Sequence, residues 1–178
     1  RAANSPKRNT LPNPRRRITR TDLTFLHSIS TLRKPFCHDL ARYRYNVLSL
    51  WSAHPYPCLV QLDDYPDVAM EDVYRIGIEL KPSFKKSGNE WPVDLDEPGT
   101  MKLIKKMSIE EKIRYWQEVF EYAENRGIEI YLFHWNVFTY GATGKYGITQ
   151  DQTNPITVDY LRKSVEEALR TYPQITGI

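Results

Sequence analysis

The sequence predicts an α/β protein built on a parallel sheet, with each strand preceded by a helix. Three stretches lead there. Ser108–Phe133 reads as an amphipathic helix, a glycine stop and an apolar strand. Pro35–Trp51 reads as a short helix followed by a strand rich in β-formers, and Asn154–Ile178 as a helix and then a final strand. Repetition of helix-then-strand favours parallel pairing, in a sheet either open or closed into a barrel.

Taken in order, residues 1–22 read as a disordered basic tail ahead of a domain at 23–178. Pro6, Pro12 and Pro14 stand among polar residues and the run Arg15-Arg16-Arg17. Such a composition buries too little apolar surface to offset the entropy of ordering. The first 20 residues carry seven basic side chains and no acid, so the net charge of +3 is local. In the rest of the chain 18 basic residues face 22 acidic ones. A general nucleic-acid surface is therefore disfavoured. The tail is either a polyanion-binding arm or a solvated linker, and bare arginines without aromatic neighbours favour the linker.

Phe36–Tyr43 is expected as a short helix and Arg44–Trp51 as a strand, stopped by Pro55 and Pro57. Asp63, Asp64, Asp67, Glu71 and Asp72 form an acidic cluster, with Asp67 read as the cap of a short helix carrying Val68, Met70 and Val73. A solvated loop explains that cluster better than a cation site. Arg75–Leu80 predicts another strand, and Lys81–Lys106 an irregular excursion pinned by Trp91.

Ser108 and Glu111 have capping-box spacing, and Ile109, Ile113, Trp116, Val119, Phe120 and Ala123 form the helix's apolar stripe. Gly127 suits the left-handed stop, after which Ile128–Phe133 is a strand. Gly141–Gly147 holds a Gly-Lys pair, but Thr139 and Tyr146 stand where a phosphate loop needs Gly and Ser or Thr. Nucleotide binding is rejected there. Asn154-Pro155 opens the last helix, with Val158, Leu161, Val165, Ala168 and Leu169 expected to face the core. Tyr172-Pro173 ends it, and Gln174–Ile178 forms the final strand. Cys37 and Cys58 lack metal-ligand spacing and are read as reduced. No apolar run approaches the ~20 residues of a membrane span, and the start lacks a signal-peptide pattern. A soluble chain follows, and a secreted full-length parent stays open.

The chemistry-bearing residues gather at strand exits. Trp51, His54 and Tyr56 follow the first strand; His134, Trp135, Asn136, Phe138 and Tyr140 follow the second. Parallel α/β proteins build ligand sites at the C-terminal ends of their strands. Rings beside hydrogen-bonding groups suit carbohydrate, because a ring covers the apolar face of a pyranose while His and Asn reach its hydroxyls. The expected partner is an oligo- or polysaccharide, without cofactor, metal or membrane. A metal-dependent hydrolase using His54 and His134 is weaker, since no H-x-H or H-E-x-x-H spacing is present.

The segments R-Y-N-V-L-S-L-W at 44–51 and G-I-E-I-Y-L-F-H-W-N at 127–136, with the aromatic loop that follows, resemble strands of the (β/α)₈ catalytic barrels of glycoside hydrolases, of the α-glucuronidase-like or β-hexosaminidase-like kinds. The resemblance spans about residues 36–178 and implies a partial TIM-barrel-like fold, the N-terminal half of such a barrel. It implies hydrolysis of O-glycosyl bonds by the full barrel. Such enzymes need an acid and a second carboxylate across the scissile bond, placed on or after the fourth strand, and no pair in this chain can be assigned to those roles. Asp63 and Asp64 are the only carboxylates soon after a strand exit, and they are not assigned as catalysts. The chain is thus expected to be a truncated domain, incomplete for catalysis, with an open sheet edge that promotes self-association. The alternative is a non-catalytic α/β binding module whose basic tail engages a polyanion.

Overall fold

The computed structural model describes residues 18–22, 34–77, 99–135 and 138–178. Residues 1–17 of the basic tail, the Trp91 pin and Asn136 lie outside the described residues.

Four strands, β1 (Ile18–Asp22), β2 (Val47–Trp51), β5 (Glu129–Phe133) and β6 (Ile175–Gly177), form one sheet in the order β1-β2-β5-β6, and every pairing is parallel. Strand β1 corrects the tail boundary: Ile18–Asp22 were read as its end, yet they pair with Val47–Trp51. Isolated, that short Thr- and Arg-bearing stretch has no apolar alternation to announce a strand; its edge position in the sheet supplies the ladder. Two further strands, β3 (Val73–Ile76) and β4 (Met101–Lys105), make a separate antiparallel pair between β2 and the next helix. The excursion read as irregular therefore carries regular structure in β4.

Helices α1 (Lys34–Arg42), α2 (Ile109–Glu124) and α3 (Pro155–Thr171) precede β2, β5 and β6, as the sequence predicted. In α2 the capping box is complete: Ser108 accepts from the Glu111 amide and Glu111 accepts from the Ser108 amide. Gly127 takes φ +71 after the helix, a conformation that costs a side-chain-bearing residue about 1 kcal/mol or more. Asn154 caps α3 by accepting from the Ile156 amide at 2.9 Å. The expected helix at Asp67 is instead a 3₁₀ turn, Pro66–Val68, with Tyr65 before it. Val73 leaves it for β3.

All three helices bury side chains in one cluster. Cys37 and Leu40 of α1, Trp116, Val119, Phe120 and Ala123 of α2, and Ala168 of α3 meet Leu48, Leu50, Ile130, Leu132 and Ile175 from the sheet. The register pairs Leu48 with Ile130 and Leu50 with Leu132, so these residues share one face. The helices therefore lie on that single face. The buried side of α3 agrees with the expected one in part: Ala168 is buried and Leu161 and Val165 pack half-buried against the core, but Thr157, Tyr160 and Ser164 are buried as well, while Val158 and Leu169 are exposed. Counting apolar residues missed hydroxyl groups that find internal partners. Thr157 donates to the Thr149 carbonyl at 3.0 Å and Ser164 to the Tyr160 carbonyl at 2.8 Å.

Helix α2 also buries Lys112, next to Ile113 of the stripe, which is half-buried and packs against the core. Its ammonium donates to the Met70 carbonyl at 2.5 Å, and burial lowers its pKa. The acidic cluster does structural work: Asp64 pairs with Lys163 at 2.7 Å, Asp67 accepts from Tyr146 at 2.9 Å, and Asp72 accepts from the Met107 amide at 2.9 Å. Cys37 and Cys58 are free thiols. Among the described residues no helix is long and apolar enough to cross a membrane.

Candidate functional site

Alternation along β2 and β5 sends Ser49 and Trp51, with Glu129, Tyr131 and Phe133, to the face away from the helices. Trp51 and Phe133 are register partners at the C-terminal ends. Past that edge the chain supplies more rings. Trp51 and Trp135 meet edge to face with centroids 5.6 Å apart, Trp135 meets Phe138 in the same way at 5.6 Å, and Phe138 stacks on Tyr140 at 6.3 Å with planes 24° apart. The four rings make a continuous row. Phe133 is 51 % exposed, Trp135 53 % and Tyr140 52 %, so the row keeps about half of each of these rings open to a ligand. On the same face the Tyr131 ring crosses β6 at Gly177, where any Cβ would come within 3.0 Å of it.

His54 sits behind this row. Its Nδ1 lies 2.7 Å from the Tyr140 carbonyl and its Nε2 lies 3.0 Å from the Tyr160 hydroxyl. A carbonyl can only accept, which assigns the proton to Nδ1 and makes Nε2 the acceptor for Tyr160. The imidazole thereby ties the exit of β2 to the loop after β5 and to α3. Burial chiefly holds its pKa down at about 4, with the nearby His134 also lowering it and the Tyr140 bond opposing. At neutral pH it is uncharged, with both nitrogens engaged.

Tyr56 packs edge to face against both histidines, at 5.9 Å from His54 and 5.3 Å from His134. It is 1 % exposed, its hydroxyl lacks a partner among the described residues, and burial raises its pKa. His134 places Nδ1 3.0 Å from the Trp135 carbonyl. Trp51, His54, Tyr56, His134, Trp135 and Tyr140 are thus brought together: rings outside, His54 and Tyr56 behind, and His134 half-buried against Tyr56. Asn136 lies outside the described residues.

The loop carrying Tyr140 is braced from below. Thr139 is buried and its Oγ1 lies 2.8 Å from that of Thr143, and Lys145 donates to the Asp67 carbonyl at 2.6 Å. Gly141, at φ +84, leaves 3.1 Å between a would-be Cβ and the Met70 sulfur, so a side chain there would be strained twice over. Sequence reasoning missed Phe133 and Tyr160. Phe133 was taken as the end of a buried strand, and Tyr160 was hidden in the hydroxyl-rich face of α3. Among the described residues no three or more His, Cys, Asp or Glu converge to hold a metal ion.

This architecture defines a class: a parallel α/β sheet, wound in chain order with its helices on one face, carrying a ring-lined edge at the strand ends. Among solved structures it is similar to a GH138 enzyme targeting pectin rhamnogalacturonan II, at 21% identity and a TM-score of 0.54. The likeness covers 81% of this chain and 14% of that one; the chain therefore spans a small part of the enzyme's length and shares its fold there. No family model matches the chain, and no curated protein matches it.

Proposed function

We propose that this chain is part of a glycoside-hydrolase-type (β/α)₈ barrel and supplies a carbohydrate-binding face at the C-terminal ends of its strands. The observation that carries the reading is the ring row Trp51–Trp135–Phe138–Tyr140 beside the exposed Phe133. Folding alone gives no reason to leave such large rings half open at one edge; a sugar whose C–H face lies on them does. Two structural facts support the barrel. Strand order follows chain order, and the helices share a face, as when successive right-handed crossovers all step in one direction. A doubly wound sheet reverses direction and covers both faces.

In this reading Trp51, Trp135 and Tyr140 form the platform, and His134 and Asn136 reach sugar hydroxyls. His54 and Tyr56 complete the site from behind. Hydrolysis needs two opposed carboxylates. Asp64, Asp67 and Asp72 are held in structural bonds, so none of these three is assigned to the catalytic pair.

The test is calorimetric titration of the full chain with a panel of neutral and pectic oligosaccharides, the latter prompted by the structural neighbour. Trp135→Ala and His134→Ala should each weaken binding, Trp135→Ala by about tenfold or more, with the fold intact by circular dichroism. Affinity unchanged in Trp135→Ala would overturn the platform.

A further inference from the structure

The antiparallel pair β3–β4 presents a second surface. Its register sets Arg75 directly opposite Lys102. Like charges in that position repel at close range and destabilise the pair unless something neutralises them. Neither strand contains an acid, and among the described residues no ion pair is made by Arg75, Lys102, Lys105 or Lys106. All four are exposed. The contrast with α3 is direct, since Arg162, Lys163 and Arg170 there all hold carboxylates within 2.8 Å. Gly77 lets the Lys102 stem come close, because a Cβ at that position would stand 2.9 Å from the Lys102 Cβ.

We infer that this hairpin is a docking surface for a carboxylate-bearing polysaccharide, distinct from the ring row. The charge pattern favours an anion. Strand alternation selects its kind: Tyr74, Met101 and Leu103 fall on the opposite face, and beside Arg75 and Lys102 stand Val73, which is buried, and Ile104, the one apolar residue of that face, among those described, that is exposed. One aliphatic side chain is too little to enter a lipid surface, and with no ring on that face a nucleic-acid base has nothing to stack on. An extended chain with acid groups satisfies two cations side by side on neighbouring strands, through charge-assisted bonds that need no deep pocket. Docking here does not depend on sugar binding at the row.

The experiment measures retention of the full chain by alginate in affinity electrophoresis, beside neutral dextran and vesicles of phosphatidylserine and phosphatidylcholine. Retention by alginate that falls with added salt is expected, and any retention by dextran should not depend on salt. Arg75→Gln combined with Lys102→Gln should weaken it by about tenfold, the scale of a lost charge-assisted contact. Gln at 15–17 in place of the three arginines should leave it unchanged. Full binding by the Arg75→Gln/Lys102→Gln variant would overturn the assignment. So would loss on changing the arginines at 15–17, or binding to vesicles in preference to alginate.

Discussion

The two faces of the parallel sheet are built from neighbouring residues of the same strands yet serve different ends. Leu48, Leu50, Ile130 and Leu132 are each no more than 1 % exposed beneath three helices. One residue along, Ser49, Trp51, Tyr131 and Phe133 face away, with exposure rising to 51 % at Phe133. The first face is explained by burial alone, because close-packed aliphatic surface is what holds helices to a sheet. The second is not. Its rings grow more open toward the C-terminal edge, where they join Trp135, Phe138 and Tyr140. The difference separates residues that make the fold from residues that the fold presents.

Substitutions sharpen the comparison. Leu132→Ala removes a side chain 1 % exposed in the centre of the covered face, and should lower stability by about 3 kcal/mol through lost transfer energy and the cavity left behind. Urea unfolding followed by circular dichroism measures it. A loss below about 1 kcal/mol would mean that the two faces are not energetically distinct.

Much of the covered face was legible in the sequence, and the reasons are local. The capping box, Gly127 and the stripe from Ile109 to Ala123 need only neighbours a few residues away. What escaped depends on long-range partners. Ile18–Asp22 has no strand pattern of its own and is recruited by the edge of β2. Thr157 and Ser164 look like surface residues until carbonyls at Thr149 and Tyr160 are in reach. Lys112 reads as solvated until the Met70 carbonyl closes over its ammonium. The site followed the same rule: strand exits located Trp51 and Trp135, whose contact at 5.6 Å fits parallel neighbours. No sequence pattern could show that His54 is occupied on both nitrogens by Tyr140 and Tyr160.

That double engagement makes pH a way to act on the back of the rim without mutation. The folded-state pKa of His54 is about 4 against an ordinary 6.5, so the native state resists a proton that the unfolded chain accepts. Stability contributed by the neutral ring is complete above pH 6.5. It is lost as pH falls from 6.5 to about 4, and the loss then levels off. After partial solvent access is allowed for, the expected change is on the order of 2 kcal/mol. The groups facing the ring are His134, Tyr56 and Tyr160; His134 is a second imidazole, so His134→Gln is the background for the measurement. In that background His54→Gln should flatten the stability profile between pH 4 and 6.5. An unchanged slope would show that His54 takes up its proton freely and does not latch the loop.

The smallest stability effect belongs to the ring row itself. Trp135 is 53 % exposed and touches its neighbours through ring edges, at 5.6 Å from both Trp51 and Phe138. Each such contact contributes about 0.5–1.5 kcal/mol when buried and less when open to water. Replacement by Ala also removes an apolar surface that water already solvates in both states. Trp135→Ala should therefore change stability by less than about 1 kcal/mol, against about 3 for Leu132→Ala on the covered face. Denaturation of the two variants side by side tests this. If Trp135→Ala were as damaging as the core substitution, the ring row would belong to the packing of the domain, and its exposure would no longer argue for a ligand.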